Sequence, residues 1–157
     1  MRNAILAAAV VGVGFVTGFD FVGGASPWTG LAPSAATAQT AAEAVATGSF
    51  RDADASHRGS GMATIVQSPA GAVLRLSEFE VTDGPDLEVW LVKATGIQNS
   101  DDVKGSEWVS LGQLASNTGD QEYAIPEGTN IADYPSVVIW CEDFGVLFST
   151  ADMSPAS

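Results

Sequence analysis

From Gly48 onward the chain is cut into short apolar runs, each closed within a few residues by Gly, Pro, Asn or Asp. Punctuation that dense leaves no room for an amphipathic helix of ordinary length and predicts strands joined by turns. The runs are Met62–Gln67, Val73–Val81, Leu87–Lys93, Trp108–Leu111, Gln121–Ile125, Val137–Cys141 and Val146–Ser149. Between them lie Ser68-Pro69-Ala70-Gly71, Asp83-Gly84-Pro85-Asp86, Asn117-Thr118-Gly119-Asp120 and Pro126-Glu127-Gly128, whose residue types suit tight turns. Thr95 to Lys104 reads as a longer polar loop. Turn signals at intervals of roughly 8–12 residues predict an all-β fold, a single antiparallel β-sandwich or barrel-like domain.

Alternation assigns faces to some of these strands. Leu87, Val89 and Leu91 fall opposite Glu88, Trp90 and Val92. Val137 to Cys141 is apolar on both faces, which suits a central strand; Cys141 shares one face with Val137 and Ile139, while Val138 and Trp140 point the other way. The run Val73 to Val81 breaks its own alternation, with Leu74 and Leu76 on one face and Phe79 and Val81 on the other. A bulge or bend near Ser77 would reconcile the mixed pattern.

Ahead of the strands, Arg2 and Asn3 precede an uncharged apolar stretch from Ala4 to Phe19, ended by Asp20. It reads as an export signal, and it is shorter than the ~20 apolar residues that span a bilayer comfortably. A tilted, uncleaved anchor is the alternative, and it is the only membrane attachment the sequence suggests. Ala36-Thr37-Ala38 has the small-x-small pattern of a cleavage site, so residues 1–38 are read as signal peptide and Gln39 as the first mature residue. No cysteine stands there to carry a lipid. Residues 39–47 are read as linker, with a marginal helical turn over Ala41 to Ala46, residues 48–153 as the domain and 154–157 as a tail. The expected location is periplasmic, secreted or at the cell surface.

Charge narrows the partners. The chain carries 19 acidic against 6 basic side chains, a formal charge of −13, which repels phosphate backbones and argues against nucleic acid. An acidic surface of this kind suits solubility in an exported protein, and it would also steer a cationic partner.

With one cysteine, Cys141, no disulfide forms within the chain. The thiol is an inert core residue, a reactive group, a ligand or an intermolecular partner. Free cysteine is among the most buried residue types, and Glu142 and Asp143 beside it oppose a thiolate; yet it ends its strand, where it could reach the rim. The one histidine, His57, lies in the loop Ser56-His57-Arg58-Gly59-Ser60-Gly61. One histidine and one cysteine cannot assemble a blue-copper set or a four-ligand zinc site of Cys and His, though a mixed site with Met62, Met153 or a carboxylate stays open. There is no Cys-x-x-Cys-His for covalent haem, no Gly-x-Ser-x-Gly elbow and no twelve-residue calcium loop. The tryptophans Trp28, Trp90, Trp108 and Trp140 would suggest a carbohydrate platform only if two were exposed on one face; core packing is expected for Trp90 and Trp140.

Several segments, in order, resemble a known family. They are Gly48-Ser49-Phe50, His57 with Gly61-Met62-Ala63-Thr64-Ile65, Leu74-Arg75-Leu76-Ser77-Glu78-Phe79-Glu80 and Gly84-Pro85-Asp86-Leu87-Glu88-Val89-Trp90-Leu91. Leu111-Gly112-Gln113-Leu114, Gly119-Asp120-Gln121-Glu122-Tyr123-Ala124-Ile125-Pro126 and Val137 through Phe148 follow, with Ala151 after them. Together they resemble the DM-thirteen (electron transfer DM) domain, as found in animal proteins of the Skeletor and Knickkopf type, across about Gly48 to Met153. The resemblance implies an extracytoplasmic β-rich domain with a suspected electron-transfer role centred on its one cysteine, here Cys141, as a redox thiol or as ligand to haem or another metal ion. His57 is an accessory candidate for the same site. The cofactor stays open between haem, a metal ion and none, and the partner would be a separate redox protein or a cell-surface protein. The rival is a non-catalytic binding module with Cys141 buried in the core. A stand-alone enzyme has no motif behind it.

Overall fold

The computed structural model describes residues 42–157, and the segments read as signal and cleavage site lie outside them. The strands are β1 (Glu43–Asp52), β2 (Gly59–Ser68), β3 (Gly71–Val81), β4 (Leu87–Val92), β5 (Trp108–Gln113), β6 (Gln121–Ala124), β7 (Ser136–Cys141), β8 (Val146–Asp152) and β9 (Ser154–Pro155). A short helix, α1 (Ser100–Lys104), and a 3-10 turn at Ile131–Asp133 are the only helical pieces among the described residues. Every named strand pairing is antiparallel, in the order β5-β4-β7-β8-β1-β2-β3-β6, with β9 beside β1. The sheet is barrel-like and nearly closed, as the all-β expectation required.

β1 makes the corner. Its first part pairs with β2 from Glu43 to Ser49, and its last residues, Phe50 to Asp52, pair with β8. One strand thus belongs to two halves of the sheet, and the chain curls between them. The expected linker therefore gives way to strand at Glu43, and the expected tail contributes β9, which pairs Ala46 with Pro155 and Thr47 with Ser154. The physical reason is that this part of β1 buries almost no side chain: Phe50 is its one fully buried residue. Backbone pairing holds it, and that leaves no hydrophobic period in the sequence.

Two apolar clusters fill the molecule. The main core gathers Ala63, Ile65, Leu74, Leu76, Phe79, Leu87, Val89, Leu91, Val137, Ile139 and Cys141, with Phe50 edge-on to Phe79 at 5.1 Å between ring centres. The second gathers Trp90, Val92, Val138, Trp140 and Leu147 with Ile97 and Val103. β7 lies between the clusters, so all its residues are buried. The loop read from Thr95 to Lys104 supplies the outer cover. Its helix is too short to stand alone; Asn99 caps it, its side chain accepting from the N–H groups of Asp101 and Asp102 while Asp102 accepts from Asn99, and Val103 anchors it.

The bulge expected near Ser77 is present. Ser60 faces Glu80 and Met62 faces Ser77, so β3 spends one residue more than β2 over this step. Glu78 takes the left-handed conformation at φ 50° and its N–H is held by Asp120 Oδ1 at 2.9 Å. Phe79 and Val81 then join Leu74 and Leu76 inside. Across from the bulge, Gly61 has φ 108°, and a Cβ there would meet Phe79 Cα at 2.7 Å and two carbonyl oxygens within 2.9 Å. Gly61→Ala should lower stability by about 2–4 kcal/mol, because both strain and backbone collision act there. Urea unfolding would show it as a lower midpoint with an unchanged slope.

Asp152 ties the corner together. It meets Arg51 Nη1 at 2.7 Å, the Gly96 N–H at 2.9 Å and the Ser136 hydroxyl at 3.1 Å. Burial pushes its pKa up, but the Gly96 N–H, the Arg51 guanidinium and the Ser136 hydroxyl outweigh this and hold it below the ordinary 3.8. A carboxyl with a depressed folded pKa stabilises the fold above the unfolded pKa, and that contribution is lost as pH falls through the folded value. Near pH 7 Asp152→Asn should therefore melt below the wild type, and the gap should narrow as pH falls below 3.8 and through the lower folded value; melting curves across pH test this.

Candidate functional site

Cys141 ends β7 and sits opposite Leu87 of β4 and Val146 of β8. Its side chain points into the main core with Val137 and Ile139, as alternation predicts, and it is fully buried at 0 % exposure. The thiol donates to the Pro85 carbonyl oxygen at 2.9 Å. That carbonyl belongs to the Asp83–Asp86 loop before β4, in which Pro85 and Asp86 are themselves exposed. The sulfur is therefore at a strand end, as expected, but one layer beneath the surface instead of on it.

The cap over the sulfur is short and held at a few points. Glu142 donates its N–H to the Asp86 carbonyl at 3.1 Å, and Gln113 Nε2 reaches Asp86 Oδ1 at 2.8 Å. Asp86 adopts φ 49°, a conformation that costs a non-glycine residue of order 1 kcal/mol. Gly84 packs so tightly under Phe148 that an added Cβ would lie 2.6 Å from its ring and 3.1 Å from Leu87 Cδ2. Phe148 is placed there by a second bulge: Ile139 faces Ser149 while Trp140 faces Leu147, so Leu147 enters the outer cluster and Phe148 the inner core.

His57 packs against Phe148, with 4.4 Å between ring centres and the planes tilted by 57°. Its Nδ1 is bonded to Asp54 Oδ2 at 2.7 Å. That bond, with the N–H groups of Ser56 and His57, pulls the Asp54 carboxyl down to about 2. No hydrogen bond joins His57 to Cys141 among the described residues.

These residues do not fit a metal or haem iron as arranged. The sulfur is engaged with a backbone carbonyl oxygen, and no group of three His, Cys, Asp or Glu side chains that could hold a metal ion occurs among the described residues. The expected borrowings from Met62 and Met153 fail too: Met62 is exposed on the outer face of β2, and Met153 lines a cleft elsewhere. That cleft, about 550 Å³, is lined by Val45, Ala46, Ile131, Tyr134, Pro135 and Met153 among others. It opens beside the start of β7, and Cys141 is at the end, roughly 17 Å along the strand.

Of the described tryptophans, Trp90 and Trp140 are buried as expected and only Trp108 is exposed, at 44 %, so no two-ring carbohydrate platform exists among them. The sequence did not foretell that all three stack, Trp108 on Trp90 at 3.8 Å and Trp90 on Trp140 at 5.2 Å. Spacing within one strand cannot show contacts made diagonally between strands.

No curated protein and no solved structure matches the chain. The family comparison does give a match: residues 49–153, from late β1 to the residue after β8, fit the model described as Electron transfer DM13, and the chain belongs to that family.

Proposed function

We propose that this chain is an exported electron-transfer domain in which Cys141 is a gated redox thiol. The observation that carries the reading is the cap: a fully buried sulfur lies directly beneath exposed Pro85, in a loop bonded to it by the thiol itself. Local opening of Asp83–Asp86 needs the loss of a few polar contacts and of the packing of Gly84 under Phe148, and short loops open at far lower cost than a domain unfolds. Export rests on the apolar Ala4–Phe19 stretch and the Ala36-Thr37-Ala38 site.

The chemistry suited to such a thiol is exchange with a disulfide of a partner protein. The exposed Cys141 thiol loses its proton to solvent and attacks one partner sulfur. A new S–S bond forms, the partner's own S–S bond breaks, and the departing sulfur leaves with the electron pair and takes up a proton. Cys141 is oxidised into a mixed disulfide and the partner sulfur is reduced. A dithiol of a second protein then attacks Cys141 Sγ, releasing the first partner as its dithiol. The second protein's other thiol attacks the new mixed disulfide and frees Cys141, so two electrons pass from the second protein to the first. With no second cysteine in the chain, Cys141 has no internal resolving thiol, so the second protein must supply it.

One observation favours the rival binding module: the sulfur has no exposure and its proton is already placed on a backbone acceptor. Labelling with a chromogenic aromatic disulfide separates the two. Under the gated reading the folded protein is labelled faster than it unfolds, Cys141→Ser is not labelled, and Gly84→Ala, which wedges the cap against Phe148, is labelled about tenfold faster or more. Labelling that tracks global unfolding in both proteins would leave Cys141 a core residue and the domain a binding module. Intact mass of the exported protein should place its first residue at Gln39; a retained Met1 would mean an anchor.

A further inference from the structure

The outer face of the sheet carries a second arrangement that the thiol does not use. Trp108, Trp90 and Trp140 lie on β5, β4 and β7, and each contact is a cross-strand diagonal: Val92 pairs with Trp108 while Trp90 pairs with Ser110, and Glu88 pairs with Trp140 while Trp90 pairs with Val138. The outer ring is 44 % exposed, and the inner two are 3 % and 4 % exposed. Trp108 and Trp90 are 8° from parallel at 3.8 Å. The stack thus runs from solvent into the molecule with ring-to-ring contact at both steps.

The surroundings of the three rings differ in a way that packing alone does not require. Trp90 donates its indole N–H to Glu88 Oε2 at 2.7 Å, and the same oxygen accepts from Ser110 Oγ at 2.8 Å. Trp140 has the Lys104 ammonium over its ring at 5.9 Å. An indole that loses an electron becomes a strong acid. A carboxylate already bonded to its N–H can take the proton at once, while an ammonium beside the ring opposes positive charge on it. Oxidation is eased at Trp90 and hindered at Trp140.

We infer that Trp90 is a one-electron redox site of this domain, entered through Trp108, with Glu88 as its proton acceptor. A strong one-electron oxidant, such as a high-valent metal centre of a partner, docks at Trp108 and takes one electron. Trp90 refills Trp108 with one electron and passes its N–H proton along the hydrogen bond to Glu88 Oε2. The products are a neutral Trp90 radical, a protonated Glu88 and an oxidant reduced by one electron, so charge and protons balance within the pair. Return of one electron and the proton restores the site. The inference shares the electron-transfer reading of the family but not the role of Cys141.

Flash oxidation by a photogenerated ruthenium(III) polypyridyl complex tests it, in full-length protein carrying Trp28→Phe so that the three stacked rings are its only tryptophans and are read at the tryptophan-radical absorption. The expected product is the neutral tryptophan radical. In Glu88→Gln, which keeps the side chain's shape and an acceptor oxygen, the radical cation should persist in its place. Trp108→Phe should slow bimolecular oxidation about tenfold or more, since it removes the exposed ring. Cys141→Ser should give the wild-type radical at the wild-type rate, so that failure of the thiol reading leaves this one standing. The inference is overturned if Trp90→Phe, folded by near-ultraviolet circular dichroism, forms the neutral radical at the wild-type rate and with the wild-type lifetime, or if Glu88→Gln leaves the spectrum unchanged.

Discussion

The burial of β7 on both faces is the constraint from which the rest of the molecule follows. A strand of Val, Val, Ile, Trp and Cys exposes no polar side chain to water, so both its sides must be covered by other parts of the chain. On one side the cover is the opposite wall of the barrel, with Ile65, Leu74, Leu76 and Phe79. On the other it is the segment from Ile97 to Val103, which would have no reason to fold against a polar face. Full burial of a side chain such as Ile139 is worth roughly 1.5–3 kcal/mol, and β7 gathers several of them. Neighbouring residues on this strand then serve different compartments. Cys141 belongs to the inner core and Trp140 to the outer cluster, because successive side chains point to opposite faces.

Bulges turn this arrangement from a flat sheet into a near-barrel. Extra residues occur on β3 at Glu78, on β8 at Phe148 and on β5 between Ser110 and Gly112. Each adds twist and shifts side chains to the other face beyond it. The one on β8 carries Phe148 inward against Gly84, setting the floor of the loop over Cys141. The one on β5 sits beside the Ser110 that bonds Glu88. Irregularities in the ladder thus lie at both places where chemistry is proposed, as is common for bulges near functional sites. At the corner between the two halves of the sheet, Arg51 and Asp152 hold β1, β8 and the loop at Gly96 and Ile97 to one another.

What the sequence disclosed and what it withheld divide along physical lines. The alternation in β4 and β7 divided the residues correctly between the two faces, and the broken alternation at Ser77 located a bulge, since in each case side-chain burial dictates the pattern. β1 before Phe50 and β9 left no such trace, because backbone pairing holds them with no fully buried side chain, Ala46 alone packing partly on the core. α1 was hidden for a related reason: its signals are the polar cap residues Asn99 and Asp102, and one apolar residue, Val103, makes no period. For the candidate site, the position of Cys141 at a strand end was legible and its depth was not. Depth depends on the Asp83–Asp86 loop, whose fold over β7 is a tertiary fact. The bond from Trp90 to Glu88 was equally invisible, although the two residues lie on one face by simple alternation.

The two proposed sites sit on opposite faces of the sheet, Trp90 on β4 and Cys141 on the neighbouring β7, where Cys141 follows Trp140 directly in the chain. A covalent path of one residue therefore joins the outer stack to the thiol. Two features work against its use. Lys104 makes Trp140 the least favourable of the three rings for positive charge, so an electron vacancy settles at Trp90, where Glu88 takes the proton. The thiol for its part has only the Pro85 carbonyl as hydrogen-bond partner, and a neutral carbonyl cannot keep the proton that thiol oxidation releases. Oxidation of Cys141 thus needs solvent to reach it, and oxidation of Trp90 does not. One-electron chemistry is therefore suited to the closed domain and thiol exchange to the opened one, and the Asp83–Asp86 cap is the element that separates them.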